Sequence, residues 1–294
     1  MLVQAKNAAP DFKRWRIGAV TVTRITEIET FALPPNEWFP IDAELVKKHS
    51  WLRPEFADED GRLLLTVQGF VIESAGMKIM VDPCVGNHKT RRGDLWKNRN
   101  GPFLEHMALA GFPCDSIDVV LCTHLHFDHV GWNTRLVDGK WIPTFPKARY
   151  LFAKTEYERA KSHESFNAKA TFADSIKPIL DAGLADLVET DHRLNEDVWL
   201  EPSPGHTSGH CTINISSGGE KAVITGDMIH NPIQASEPDV STHFCDDHAQ
   251  ANATRRAFLS RACTEQALVL GNHFPEPTGV RIRQHENVWR AYKP

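Results

Sequence analysis

Side chains that bind metals are concentrated in the segment 123–129, which reads Thr-His-Leu-His-Phe-Asp-His. His124 and His126 are two residues apart, and on an extended segment two such side chains point the same way and can bind one ion. Asp128 and His129 follow where the chain can bend back and offer ligands to a second ion. Imidazoles and a carboxylate without a thiolate suit Zn²⁺ and other borderline first-row metals.

A short strand is predicted directly before this segment. Residues 117–122 form an apolar, β-branched run, Ile-Asp-Val-Val-Leu-Cys, which is typical of a buried strand. The metal-binding side chains therefore follow the end of a strand, which is the edge where open α/β layers usually bind ligands. A polar loop with ordinary histidines is the alternative. A cluster with this spacing behind an apolar strand, however, indicates a metal site much more specifically than a single histidine does.

The same pattern, a strand or turn followed by a histidine or an aspartate, recurs three times later in the chain. His206 lies in a turn between glycines. Asp227 and His273 each come shortly after an apolar run that predicts a strand. His210 follows the turn and is predicted to support the ligands rather than to bind metal. Four places in the sequence therefore could present a ligand to one edge of the fold.

Other elements are predicted from periodicity and turn residues. A first strand pair is expected over 17–28, and helices over 103–111 and 252–262, with a turn-rich passage over 132–146. A helix toward Lys161 is predicted to begin with Thr155 as its cap and an acid at the third helical position. Further strands are predicted at 63–72, 78–81, 148–153, 187–190 and 198–200.

Residues 30–60 are rich in aromatic residues and proline without a clean period. An irregular arm packed on the core is one interpretation. A lid or a contact between two copies in a homodimer is the other, since clustered aromatics are enriched at interfaces. The two interpretations are compatible.

Bulk composition limits the class of protein. The chain has 294 residues, of which 41% are hydrophobic and 24% charged, as in globular proteins. A net charge of −5 with scattered cations argues against a nucleic-acid partner. No apolar run approaches the roughly 20 residues of a membrane helix, and the N-terminus lacks a signal-like pattern, so a cytoplasmic location without membrane contact is expected. Six widely spaced cysteines are expected to be reduced and mostly buried.

The chain resembles the metallo-β-lactamase superfamily in four places, which occur in the family's order: His124-Leu125-His126-Phe127-Asp128-His129, Gly205-His206, Gly226-Asp227 and His273. The resemblance runs through about residues 17–285 and implies one α/β domain over 1–294. Its expected fold is a four-layer αββα sandwich, in which two mixed β-sheets are flanked by helices. A dinuclear metal centre, most often zinc, is expected at one edge.

The resemblance also implies a role for each ligand. The implied ligands are His124, His126 and His206 for the first ion, Asp128, His129 and His273 for the second, and Asp227 as the bridge between them. Asp227 after a glycine could instead cap a helix, but its position after a buried strand favours the bridge.

Within the superfamily the chain is most similar to the quorum-quenching lactonases and the methyl parathion hydrolases. The similarity lies in Gly226-Asp227-Met228-Ile229-His230, Gln234, Phe244, Asp246 and His273-Phe274-Pro275. Those lactonases often carry a tyrosine three residues after the bridging aspartate, where this chain has His230. A second departure is Trp132, whose ring is expected to reshape the mouth of the pocket. Trp38, Phe39, Trp132, Phe244 and Phe274 are the candidates for an apolar pocket wall, although each of them taken alone is more typical of the core.

Hydrolysis of a lactone or an ester by hydroxide bound between two zinc ions is the leading prediction. Asp128 is expected to orient the nucleophile or move its proton, and His230 to donate a hydrogen bond or a proton to the substrate. An organophosphate triesterase or a hydrolytic dehalogenase is the alternative on the same site. A scaffold that binds metal without hydrolysis is a third reading, but redox relatives usually have glutamate where this chain has His126.

Overall fold

Fifteen β-strands and eight α-helices form the part of the chain that the computed structural model describes, residues 12–294. The strands are β1 (Arg14–Ile17), β2 (Val20–Leu33), β3 (Leu63–Ser74), β4 (Met77–Val81), β5 (Val119–Leu121), β6 (Thr134–Val137), β7 (Lys140–Pro143), β8 (Arg149–Ala153), β9 (Ala185–Val188), β10 (Val198–Pro202), β11 (Cys211–Ser217), β12 (Glu220–Ile224), β13 (Leu268–Leu270), β14 (Gly279–His285) and β15 (Val288–Tyr292). The helices are α1 (Ala43–Lys48), α2 (Phe103–Leu109), α3 (Phe127–Val130), α4 (Lys154–Ser162), α5 (Phe166–Thr171), α6 (Lys177–Asp181), α7 (Ile233–Ser236) and α8 (His248–Glu265). No helix between residues 12 and 294 combines the length and the apolar character that a bilayer crossing requires.

The strands form two mixed β-sheets and one small hairpin. The first sheet has the order β1-β2-β3-β4-β5-β8-β9, and β4, β5, β8 and β9 run parallel. The second sheet has the order β10-β11-β12-β13-β14-β15, with a parallel pair at β12 and β13. β6 and β7 form the hairpin. Helices flank the sheets, so the predicted α/β fold with two mixed sheets is confirmed.

Three apolar layers make up the core. The middle layer joins the facing sides of the two sheets and includes Phe70 of β3 and Ile213 of β11. Val71 of β3 points the opposite way, into an outer layer shared with α2, because successive side chains of a strand alternate between its faces. The other outer layer includes Phe258 of α8. All six cysteines are free and four are buried, as predicted.

The aromatic and proline-rich arm begins where β2 ends at Leu33, beyond the predicted end of that strand. It contains α1 and short 3-10 turns, and it packs on the outer layer that includes α8. Phe39 and Phe56 are buried there, and Trp38 is only 9% exposed. Dimer formation through this arm stays a prediction.

Two local predictions differ from the structure. The passage 132–146, predicted to be turn-rich, also contains two strands, which form the β6–β7 hairpin. The predicted cap at Thr155 is wrong, because α4 begins at Lys154 immediately after β8 and Ala153 occupies the cap position without a side-chain hydrogen bond. The first turn of α4 directs Glu156 inward, where it accepts the two backbone hydrogen bonds described below.

Four strand ends meet at one edge of the two sheets. β4 and β5 of the first sheet lead into Asp82 and Thr123, and the Thr123 amide donates to Asp82 Oδ1 at 2.7 Å. β12 and β13 of the second sheet lead into Gly226 and Asn272, and the Gly226 amide donates to Asn272 Oδ1 at 3.2 Å. This edge is where the predicted ligands converge.

Candidate metal centre

The segment after β5 supplies four of the seven predicted ligands. His124 is completely buried at the end of the strand. His126 occupies the position just before α3, and Asp128 and His129 lie in the first turn of that helix. The helical turn brings Asp128 and His129 back toward the same edge, so four side chains from one short segment face a common centre.

The first group of potential ligands consists of His124, His126, His206 and Asp227, whose ligand atoms lie within 4.8 Å of one another. His126 Nδ1 is 3.0 Å from His206 Nε2. Asp227 Oδ2 is 3.2 Å from His206 Nε2 and 3.6 Å from His124 Nε2. The arrangement brings three imidazoles and one carboxylate oxygen together from three separate segments.

The second group consists of Asp128, His129 and His273, again within 4.8 Å. Asp128 Oδ2 is 3.8 Å from His129 Nε2 and 3.6 Å from His273 Nε2. The other oxygen of Asp227, Oδ1, is 3.0 Å from His129 Nε2 and 3.1 Å from His273 Nε2. Asp227 therefore presents one oxygen to each group.

A glycine before Asp227 makes this position possible. Gly226 has a φ of +52°, a backbone conformation that side chains with a Cβ rarely adopt. A Cβ there would also lie 2.6 Å from Thr123 Oγ1 and 2.7 Å from His210 Nε2. Glycine therefore lets the end of β12 approach the segment after β5 closely enough for Asp227 to lie between the two groups.

The unpaired atoms of the site fit a pair of cations. Four buried ligand atoms crowd together without a well-directed hydrogen bond to any residue of the described part of the chain: His124 Nε2, His129 Nε2, His273 Nε2 and Asp227 Oδ1. A buried polar atom without a partner costs about 1–3 kcal/mol, so the convergence of four such atoms on one place needs an explanation. Imidazole nitrogen and carboxylate oxygen are donors that suit zinc and similar metals.

Asp82 supports the ligands and was not recognised from the sequence. Its Oδ2 is 2.9 Å from His129 Nδ1 and accepts hydrogen bonds from Thr123 Oγ1 at 2.7 Å and Asn272 Nδ2 at 3.1 Å. Asp82 fixes the orientation of the His129 ring by occupying the nitrogen that faces away from the centre. The available signal in the sequence is an acidic residue immediately after the predicted strand 78–81, which by itself does not distinguish this role from an ordinary strand end.

Other ligand histidines have partners of different chemistry. His273 Nδ1 is 2.9 Å from the Thr66 carbonyl oxygen, and His206 Nδ1 is 3.6 Å from Cys245 Sγ. His210 acts on the backbone: its Nε2 accepts a hydrogen bond from the Asp227 amide at 3.0 Å. His210 thus lies behind Asp227 rather than among the clustered ligand atoms, and its supporting role stays a prediction.

Glu156 joins two of the ligand-bearing segments. Its carboxylate accepts hydrogen bonds from the Leu125 amide at 3.1 Å and the Gly209 amide at 3.2 Å. Glu156 is 1% exposed and lies in the first turn of α4, and its inward position was not predicted from the sequence. Arg159, one turn later, forms an ion pair with Asp246 and places Nη2 3.3 Å from His126 Nε2.

His230 lies on the wall of the site, beside Asp227. Its Nε2 is 3.1 Å from Asp227 Oδ2, and its ring stacks on that of His273 with a centroid separation of 5.6 Å. Trp38 and Phe39 contact the ring edge-on. Burial lowers the pKa of His230 to about 3 despite the neighbouring Asp227 carboxylate, so the ring is neutral near pH 7.

Burial and nearby carboxylates shift the pKa values of the histidines in opposite directions. Burial lowers the pKa of His124 and of His126 well below the usual value, which favours the neutral imidazole that metals bind. Burial also opposes protonation of His129, but the carboxylates of Asp227 and Asp128 outweigh it and raise the pKa of His129 well above its usual value. A cation beside His129 would replace this proton as the partner of the carboxylates.

A cavity of about 520 Å³ opens onto the centre. Its wall includes His126, Asp128, His206, Asp227 and His230. The apolar part of the wall includes four aromatic side chains, which are Trp38, Trp96, Phe127 and Phe244.

The predicted pocket wall is only partly right. Trp38 and Phe244 line the cavity, but Phe39 and Phe274 are buried in the outer layer beside α8. Trp132 does not shape the cavity mouth: it stacks on Phe103 in the opposite outer layer and donates from Nε1 to a Glu27 carboxylate oxygen at 2.8 Å.

The fold and the edge-located His/Asp groups define a class of protein. A sequence profile of the metallo-beta-lactamase superfamily matches residues 64–271, which is most of the chain. The chain belongs to the metallo-β-lactamase superfamily, as the sequence motifs indicated.

Individual relatives share about a quarter of the aligned residues with this chain. N-acyl homoserine lactonase AiiA of Bacillus thuringiensis subsp. kurstaki is 26% identical over 180 residues, which cover 56% of this chain and 64% of the lactonase. The match thus spans less than two thirds of that lactonase. Probable metallo-hydrolase YflN of Bacillus subtilis (strain 168) is 24% identical over 233 residues, covering 73% of this chain and 78% of YflN.

Solved structures share the fold over nearly their whole length. AidC, described as a dizinc quorum-quenching lactonase in complex with a product, aligns with a TM-score of 0.78 and 22% identity over 96% of this chain and 97% of AidC. The hydrolase AbOPH aligns with a TM-score of 0.79 and 18% identity over 98% of this chain and all of that chain (100%). At these identities the likeness shows the fold alone.

Proposed function

We propose that this protein is a metal-dependent hydrolase that opens a lactone or cleaves an ester at a centre of two divalent cations, with zinc as the expected metal. The observation that carries the proposal is the position of Asp227, whose two oxygens face two different groups of ligands at 3.0–3.2 Å. A single structural ion would need only one of these groups.

Seven side chains would hold the cations. His124, His126 and His206 would bind the first, Asp128, His129 and His273 the second, and Asp227 both. When bound, such cations polarise a substrate carbonyl and lower the pKa of a water molecule toward about 7. No side-chain nucleophile is then required for hydrolysis.

Asp128 is proposed to handle the proton of the attacking water. Its carboxylate lines the cavity and is 9% exposed, so one side contacts the ligand histidines while the other faces the space for substrate. A carboxylate in this position can accept a hydrogen bond from the attacking water and orient it toward the substrate.

His230 is proposed to stabilise the oxygen on which charge develops. It borders the cavity, and its Nε2–H is directed to the Asp227 side of the centre. A neutral imidazole N–H is a suitable donor to a carbonyl oxygen that becomes an oxyanion. In the lactonases that this chain resembles, a tyrosine hydroxyl stands at the corresponding position.

The aromatic wall supports an apolar substituent on the substrate. Trp38 contacts Phe244 edge-on at a centroid separation of 5.7 Å, and Trp96 contacts Phe127 at 5.4 Å. These rings would exclude water from one side of the cavity and bind an acyl or aryl group. The names of AiiA and AidC, both lactonases, support a lactone as the substrate class.

A substrate panel tests the proposal. Purified metal-loaded protein would be assayed on an acyl-homoserine lactone, a nitrophenyl ester and a phosphotriester, each with and without a chelator. We expect lactone or ester turnover that the chelator abolishes and added Zn²⁺ restores. Asp227→Ala should lose most of this turnover, whereas Asp239→Ala, an exposed aspartate paired with Arg256, should keep it.

Two results would revise the proposal. Turnover of the phosphotriester alone would favour the organophosphate hydrolase alternative on the same centre. Absence of turnover on all three substrates by protein that holds its metal would instead favour a metal-binding scaffold.

A further inference from the structure

Two arginines face each other at the edge of the second sheet. Arg283 of β14 pairs with Arg290 of β15 in the antiparallel ladder. Like charges directly opposite each other destabilise a strand pair, because the two side chains lie close together on one face. Within residues 12–294 neither arginine forms an ion pair with a carboxylate. The pair therefore lacks the counter-charge that would offset its repulsion.

Alternation along the strands places an aromatic ring on the same face. Tyr292 is two residues after Arg290, so the two side chains point the same way. The guanidinium of Arg283 lies over the Tyr292 ring at 3.6 Å, which holds Arg283 on this face. A cation–π contact stabilises the guanidinium but does not neutralise its charge.

This face borders a second cavity of about 530 Å³. The cavity shares no lining residue with the one at the metal centre. Besides the two arginines and Tyr292, its wall includes Trp51 and Phe56 of the aromatic arm. The cavity thus combines an apolar, aromatic side with a cationic side.

Two buried donors on the wall of this cavity have no partner in the described part of the chain. They are Trp51 Nε1 and Arg290 Nε. Buried N–H groups are almost always paired with an acceptor, so these two donors are available to an acceptor that enters the cavity and reaches them. Lys293 and Glu55 also line the cavity and form an ion pair with each other at 2.8 Å, so the one carboxylate on the wall already has a counter-charge.

The chain around this cavity also carries positive charge. Residues 281–294 contain Arg281, Arg283, Arg290 and Lys293 but only one acidic residue, Glu286, in a chain with a net charge of −5. A ligand that matches this surface carries negative charge and accepts hydrogen bonds. Guanidinium groups bind carboxylate and phosphate oxygens with two parallel hydrogen bonds, which fits two neighbouring arginines.

We propose that this cavity binds a small organic oxyanion, a molecule with a carboxylate or a phosphate next to an apolar or aromatic body. Arg283, Arg290 and Trp51 Nε1 bind the oxyanion, and the rings of Trp51, Phe56 and Tyr292 contact the body. The site is independent of the hydrolytic centre and adds a binding function to this end of the second sheet.

Calorimetric titration of the metal-loaded full chain tests this site with three probes: benzoate, phenylphosphonate and the neutral benzyl alcohol. We expect one saturable site for at least one anion and none for the alcohol, and the two anions distinguish a carboxylate from a phosphate ligand. Arg290→Gln and Arg283→Gln should each weaken this binding at least about tenfold, the change expected for one charge-assisted hydrogen bond.

Arg281→Gln is the matched control, because Arg281 lies on the same face of β14 and loses the same charge but does not line the cavity. An anion that binds at the metal centre would bind all variants equally, so the comparison of variants distinguishes that binding from binding in the second cavity. Without ligand, Arg290→Gln should melt at or above the temperature of the wild type, since the repulsion is removed.

Three results would overturn the proposal. They are the absence of saturable anion binding, equal binding by the wild type and both cavity variants, and an equal loss in Arg281→Gln, which would indicate non-specific attraction.

Discussion

Asp82 Oδ2 lies 2.9 Å from His129 Nδ1, and both residues are buried. The carboxylate follows β4 and the imidazole follows β5, so two neighbouring strand ends fix the direction of one ligand. Because Asp82 also accepts from Thr123 and Asn272, it connects ligand-bearing segments of both sheets. The geometry of the centre therefore depends on a residue that is not itself among the potential ligands.

Asp82→Asn should weaken metal binding by about 10–100-fold, since an amide removes the charge and one of the acceptors that orient His129. Competition with a chromogenic chelator measures the affinity. Asp118→Asn is the control: Asp118 lies at the opposite end of the same pair of strands, is exposed, and its carboxylate accepts a hydrogen bond from the Lys78 amide, far from the centre. An affinity equal to that of the wild type in Asp82→Asn would show that His129 needs no such support.

His230→Ala should lower kcat by about 100-fold with a smaller effect on KM, as expected when a hydrogen bond made in the transition state is removed. His230→Gln keeps an N–H donor and should recover part of the rate. His243→Ala is the control, because His243 lines the same cavity but contacts the Asn36 carbonyl oxygen rather than Asp227. Unchanged rates on every substrate in His230→Ala would end the proposed role.

Glu156→Ala should destabilise the fold, because the buried amides of Leu125 and Gly209 lose their acceptor. The expected loss is about 1–3 kcal/mol for each unpaired donor. Thermal unfolding of the metal-loaded protein measures it, with Glu158→Ala, an exposed residue of the same helix, as the control. Equal melting temperatures of the two variants would contradict the role of Glu156.

Stability should depend on pH through Lys89. Burial lowers the pKa of Lys89 from 10.5 to about 7, although Asp174 lies 3.5 Å away. Between about pH 7 and 10.5 the unfolded chain binds more protons at this position than the folded chain, so stability from this group rises with pH across that window.

Lys89→Met removes this group, and Asp174 keeps its bidentate pair with Arg91. The difference in melting temperature, Lys89→Met minus wild type, should therefore be largest at or below pH 7 and should fall toward pH 9. A difference that is constant between pH 6 and 9 would contradict the lowered pKa.

The fold and the seven potential ligands could be predicted from the sequence because the signal was local. Each ligand follows an apolar run or a glycine turn, and the order of the segments matches a known family. Residues such as Asp82 and Glu156 act through contacts with distant parts of the chain, which no local pattern encodes. Trp132 was misplaced for a related reason: an aromatic residue beside the metal-binding segment packs toward Phe103, and only the tertiary fold determines that direction.

The most direct test of the proposed centre is the number of metal ions bound per chain, measured by mass spectrometry after dialysis, together with hydrolysis before and after chelation. The account predicts about two equivalents in the wild type, fewer in Asp227→Ala, and activity that disappears with the metal and returns when it is restored. Full turnover by metal-free protein would contradict it.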